Sequence, residues 1–142
     1  MIMPAKEPNC SKLFTNITHE AQNHWREIEA SPTTKTARGA LVTDDKAIIA
    51  LLSFDNTKKQ LSLTAKLSVK KELDTAALRQ IIKYQSQHQH LCSFITVDDE
   101  FKMVTITANA PVYESKSSIA VTCIFNAACA ILNDNELNEL LN

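Results

Sequence analysis

The stretch "HQHLC" puts His88, His90 and Cys92 at alternate positions. Alternate side chains of an extended chain point to one side, and imidazole with thiolate is a donor set that soft metals accept. A closed zinc site needs four ligands and no fourth lies nearby, so a small metal-binding protein centred on these residues is the lesser reading. The polar end of a helix accounts for the histidines without an ion. His19 and His24 are five residues apart, not the four that stack two ligands on one helical face, and are expected in solvent. Asp98, Asp99 and Glu100 suggest a cation site or an acid–base pair, but adjacent carboxylates between two strand-like runs are ordinary turn residues. No Ser, His and Asp arrangement and no calcium-loop spacing supports them. Cys10, Cys92, Cys123 and Cys129 form no CxxC pair and read as small apolar fillers in a reducing compartment.

An absence is as informative. The chain has one glycine, Gly39. Phosphate-cradling loops and dinucleotide fingerprints need several glycines, and a nucleophile elbow needs small residues beside its serine. The sequence therefore points away from a nucleotide enzyme or an α/β-hydrolase. No catalytic residue, resident metal or cofactor is expected.

Charge narrows the partners. With 15 Lys and Arg against 16 Asp and Glu, the net charge of -1 supplies no field to attract a polyanion. Lys58, Lys59, Lys66, Lys70, Lys71 and Lys83 form a modest basic region, but from Lys58 to Lys83 no aromatic residue is present to stack on a base. A solvated face is the better reading, and nucleic acid is not an expected partner. Pro4, Lys6, Glu7 and Pro8 interrupt the N-terminal segment where a secretory signal would be continuous, and no window reaches the roughly 18 to 20 apolar residues of a membrane span. The expectation is a cytoplasmic protein that does not enter a membrane. Its 142 residues, 44% hydrophobic and 22% charged, suit one domain spanning 1–142, with 1–10 as a loose lead-in.

The elements that position these residues follow from apolar spacing. From Leu13, the residues Phe14, Ile17, Ala21, Trp25 and Ile28 recur at steps of three or four, which predicts a first amphipathic helix ending before "ASPTTKT". "ARGALVT", "KAIIALLSF" and "KQLSLTAKL" read as a meander of three strands turning at Asp44-Asp45 and Asp55-Asn56. Both sides of the second strand are apolar, so it is expected centrally, with each face covered. Asp74 is placed to cap a helix over "TAALRQIIKYQSQHQ". "LCSFITV" and "KMVTITANA" then form a hairpin, and Ser115 or Ser117 is placed to cap a last helix over "IAVTCIFNAACAIL". The order is α-βββ-α-ββ-α, an α+β fold with an antiparallel sheet packed by helices.

That last helix raises the main question, because it is apolar on nearly every side. If the sheet takes Ile119, Cys123, Ala127 and Ile131, then Val121, Phe125, Cys129 and Leu132 need the first helix, a second subunit or a bound peptide to cover them. One reading buries the helix within the monomer, as all-apolar helices usually are. The other makes those four residues a subunit or client interface.

The order of elements resembles the class I chaperones of bacterial type III secretion and the related YbjN-type proteins described as sensory-transduction regulators. The parts that carry the likeness are "KAIIALLSFDNTKKQLSLTAKLS", "IIKYQSQHQHLCSFITVDDEFKMVTITANAP" and the serine-led "SIAVTCIFNAACAIL". It spans residues 11 to 132 and rests on pattern rather than on a diagnostic motif. The resemblance implies a homodimer that uses no ATP and holds an extended, unfolded stretch of a secreted effector on apolar surface and sheet edges. Candidate contacts are Phe14, Ile17, Trp25 and Ile28 on the first helix and Ile49 and Leu51 on the sheet. Secretion chaperones are markedly acidic, whereas the pI here is about 6.4. That departure keeps a regulatory protein acting through a folded partner as the alternative.

Overall fold

The computed structural model describes residues 6–42, 47–69, 71–87, 93–113, 116–134, 137 and 139, with side chains from residue 12 onward. Its elements run α1 (Lys6–Ala21), β1 (Arg26–Ser31), β2 (Thr36–Val42), β3 (Ala47–Asp55), β4 (Gln60–Ser68), α2 (Thr75–Gln87), β5 (Ser93–Val97), β6 (Met103–Pro111) and α3 (Ser117–Leu132). The six strands form one sheet in the order β1-β2-β3-β4-β6-β5, and every neighbouring pair is antiparallel. The expected α+β class and antiparallel sheet hold, with one strand more than the sequence pattern suggests.

The added strand corrects the first helix. α1 ends at Ala21, where the N–H groups of His24 and Trp25 donate to the Ala21 carbonyl (2.9 and 3.1 Å) and turn the chain. Arg26–Ser31 then runs back along β2 as an edge strand. Trp25 and Ile28 fit the helical period by coincidence of spacing. An edge strand with one solvated side needs little apolar alternation, so β1 left no clear mark in the sequence. The register slips between Glu27 and Glu29, so Ile28 sits in a bulge. At the other end α1 begins at Lys6, inside the segment expected to be loose.

Gly39 has a steric reason. Trp25 lies on the β2 backbone there, and a Cβ on Gly39 would fall 2.5 Å from Trp25 Cδ2. Phe125 of α3 meets the indole edge-on at a ring distance of 5.2 Å, and His24 stacks on the same phenyl ring. One corner thus ties the end of α1, β2 and α3 together. Trp25 Nε1 and Glu27 Oε1 are buried nearby without a protein partner among the described residues.

Hairpin turns do without glycine. Lys35, Lys59 and Phe101 take the left-handed conformation, with φ of 55°, 52° and 57°. Asp55 Oδ1 accepts from the N–H groups of Thr57 and Lys58 in the β3–β4 turn. Asp98 Oδ1 does the same for Lys102 and Met103 in the β5–β6 turn. The expected Asp55-Asn56 turn is therefore present, and the Asp44-Asp45 turn lies outside the described residues. Asp74 caps α2 as expected, accepting from the Ala77 N–H at 2.8 Å. The expected serine cap of α3 is not found: the cap position is Lys116, without a side-chain hydrogen bond, and Ser117 is already in the helix. Ser115 lies outside the described residues.

Helices α1, α2 and α3 gather on one side. α3 packs on β4, β5 and β6, α1 packs on α3, and α2 lies against β5. The Ile95 N–H of β5 donates to Gln85 Oε1 of α2 at 2.8 Å. Between the layers lies a core built from alternate residues: Ala37 and Leu41 of β2, Ile48 to Phe54 of β3, Leu61 to Leu67 of β4 and Val104 to Ala110 of β6.

Candidate functional site

The long apolar helix is covered from within. Val121, Phe125 and Leu132 are fully buried, and Cys129 is half-buried, packed against the core. The sheet lies under α3 and α1 lies over it, so the idea that these residues need another chain is corrected. The rotation also differs from the expected one. Ala127 and Ile131 are buried, but Ile119 is 56% exposed and Cys123 faces solvent. Small Ala120, Ala127 and Ala128 let the helix approach its neighbours closely, and together with Ile124 they widen the buried face beyond a single stripe.

A contiguous stretch of uncovered apolar surface is on the other side of the sheet. β3 is central as expected, but only one of its faces is packed: Ile48, Ala50, Leu52 and Phe54 are buried, while Ile49 and Leu51 are 52% and 46% exposed. Among the described residues the expectation of cover on both faces fails, because α1, α2 and α3 sit on one side. Register assembles a patch from this bare face. Ile49 pairs with Ala40, Leu51 with Arg38 and Ala47 with Val42, the last 69% exposed. Ile28, half-exposed in the β1 bulge, lies on the neighbouring strand.

Polar rows bound the patch. Ser53, Ser62 and Asn109 follow one another across β3, β4 and β6, and the Ser62 hydroxyl donates to Asn109 Oδ1 at 2.6 Å. Thr64 and Thr107 continue the next row to Phe94 of β5, which is exposed. At the β1 margin Arg38 pairs with Glu29 at 3.3 Å, an exposed bridge that contributes little stability. A cavity of about 200 Å³ opens beside it, with Leu51, Ser31 and Thr36 among its lining.

Of the expected contacts, then, Ile49 and Leu51 are on this accessible side and Ile28 is exposed in the β1 bulge beside it, whereas Phe14, Ile17 and Trp25 are buried in the protomer's own core. The last three carry the first helix onto the fold and are not presented to a partner. Val42 and Phe94 were missed by the sequence reading. Alternation in "ARGALVT" already put Val42 on the side of Arg38 and Ala40, and only the pairing with β3 shows that this side is the bare one.

The remaining chemical candidates are quiet. His88, His90 and Cys92 lie outside the described residues, and among the described ones no cluster of three His, Cys, Asp or Glu is placed to hold a metal. The Met103 and Lys102 N–H groups stabilise the Asp98 carboxylate and draw its pKa below the ordinary value, which is turn chemistry. Burial pushes the Cys129 thiol up, away from a reactive thiolate. Tyr84 is raised by burial and then by the negative charge of Asp134. Among the described residues no helix is long and apolar enough to cross a membrane.

No protein-family model matches the chain, and no curated protein does. Solved structures do. The fold is similar to that of a chain in the crystal structure of the ExsC–ExsE complex, with a TM-score of 0.53 and 13% identity over 92% of each chain. It is also similar to a chain of the HopA1–SchA chaperone–effector complex, with a TM-score of 0.51 and 11% identity over 89% of this chain and 97% of that one. The expected α+β architecture is thus the one the molecule has and is shared with chains of these two complexes, and the comparisons give no support to the YbjN-type regulators.

Proposed function

We propose that this protein works by binding polypeptide: it holds a segment of a partner protein on the bare face of its sheet, in the manner of a secretion chaperone with its effector. The observation that carries the reading is the one-sided packing, which leaves Ile28, Val42, Ile49 and Leu51 about half or more in water. Contiguous apolar surface of this kind on a small soluble fold marks an interaction site more often than an accident. The likeness to chains from the two complexes supports the same direction. In this reading the protein carries out no chemistry of its own, acts in the cytoplasm and is a homodimer. Its subunit interface does not use Val121, Phe125 or Leu132, which are occupied internally.

The face is favoured over the margins. Extended segments pair with free strand edges, but β1 is kinked at Ile28 and an outward N–H of β5 is taken by Gln85. Burying the exposed half of four aliphatic side chains contributes about 1 kcal/mol each. That supports an affinity of only about millimolar on its own, so a physiological partner must add further contacts.

Co-expression pull-down with mass spectrometry tests this, alongside protease protection and the solution mass. Ile49→Asp and Leu51→Asp place charge on the bare face without opening the core. They are expected to lose the captured polypeptide and keep the folded circular-dichroism spectrum. A partner retained equally by both variants refutes the assignment of this face. Capture of folded proteins only, with no protected segment, favours the regulatory alternative.

A further inference from the structure

The cations around the patch add what the apolar residues lack. Arg26 pairs with Ala40, Ala40 with Ile49, and Lys66 follows one step beyond the Ala50–Ala65 pair, which puts it beside Ile49. Arg26, Ala40, Ile49 and Lys66 therefore form one row across four strands. Directly paired residues point the same way, so both cations stand on the bare side, and both are exposed. Arg38 is engaged by Glu29, but among the described residues neither Arg26 nor Lys66 has an ion-pair partner. Three inter-strand steps separate them by about 14 Å, at about 4.8 Å each.

The backbone of the ligand is constrained too. All main-chain groups at the centre of a sheet are used in its ladders, so the face offers a visitor side chains only. A segment laid there as a strand would turn peptide groups toward apolar side chains without partners, at a cost of about 1–3 kcal/mol for each one buried. A helix satisfies its own backbone. Its diameter with side chains is about 10–12 Å, which fits between the two cations when it runs along β2 and β3.

We propose that the bare face takes an acidic amphipathic helix, with apolar residues at i, i+3, i+4 and i+7 seated on Ile49, Leu51 and Val42, and carboxylates on its two flanks reaching Arg26 and Lys66. This rests on the polypeptide-binding reading and specifies the ligand. Neither α2 nor α3 is such a helix: the solvent side of α2 carries Arg79 and Lys83, and that of α3 carries no acidic residue.

The test uses the full chain and a pair of labelled synthetic helices of about 16 residues, long enough to hold helical structure. Their leucine stripes are identical, flanked by glutamate in one and by lysine in the other. Anisotropy titration is run at low and high salt against wild type and the double variant Arg26→Glu/Lys66→Glu. Both sites are exposed, so the variant is expected to melt within a few degrees of wild type. The expected result is that wild type prefers the glutamate helix by about tenfold or more at low salt, that salt narrows the gap, and that charge reversal inverts the preference. Equal binding of the two helices, or binding of neither, overturns the proposal. If co-expression still captures a protease-protected segment with the charge-reversed variant, polypeptide binding stands and only the acidic-helix assignment falls. If no segment is captured by wild type, both fall. A dimer that Ile49→Asp dissolves shows the face to be a subunit interface and also overturns it.

Discussion

Gly39→Ala should destabilise this protein although it adds a single methyl group. The new Cβ would lie 2.5, 2.7 and 2.8 Å from Trp25 Cδ2, Cε2 and Cε3, against the ring face and not against a mobile side-chain tip. Ordinary contact needs about 3.5–4 Å, so the indole must retreat by about 1 Å, and Phe125 stands against it edge-on. Overpacking of this kind costs about 1–3 kcal/mol. Replacing glycine within a strand returns about 0.5–1 kcal/mol of unfolded-state entropy. The net expectation is a loss of about 1–2 kcal/mol, or roughly 3–7 °C in Tm for a chain of this length. Urea or thermal unfolding followed by circular dichroism measures it. The decisive control is the same change in a Trp25→Ala background, where the clash is gone and Gly39→Ala should become neutral or slightly stabilising. An equal loss in both backgrounds would refute the explanation of Gly39 by the indole.

Two further outcomes follow from the turns. Asp98 has a folded pKa below its ordinary value near 3.8, so its contribution is present above that value and is lost as pH falls through the folded one. Asp98→Ala should therefore lower Tm at neutral pH and converge with wild type at the acid end, while a constant difference at every pH would exclude the carboxylate as the cause. Lys35→Gly should raise stability by about 0.5–1 kcal/mol, because relief of about 1–2 kcal/mol of left-handed strain exceeds the entropy cost of glycine; denaturant midpoints read this directly.

The legible parts of the fold were those where burial is one-sided and periodic. Leu61, Leu63, Ala65 and Leu67 alternate with polar residues and became β4 with that face inward. Asp74 was recognised as a cap because its distance from the first apolar turn is fixed by helix geometry. β1 was not legible, since Arg26, Glu27 and Glu29 show no alternation and its pairing is sustained by β2. Nor could the sequence say which apolar surface stays bare. Ile49 and Leu51 look as deserving of cover as Val121 and Phe125. The difference is tertiary: α1 reaches α3, and among the described residues no helix reaches the far side of the sheet.

The two rims of the sheet carry a consequence for crowded conditions. A ribbon with open ends can recruit copies of itself strand by strand into filaments, and that growth needs a straight, unoccupied border. Here one border is crooked at Ile28 and the other is plugged by the Gln85 amide. A molecule guarded in this way can display a greasy plain to visitors and still resist stacking with its siblings. Straightening the first border by deleting Ile28, or unplugging the second with Gln85→Ala, should show up as fibrils long before it shows up as unfolding.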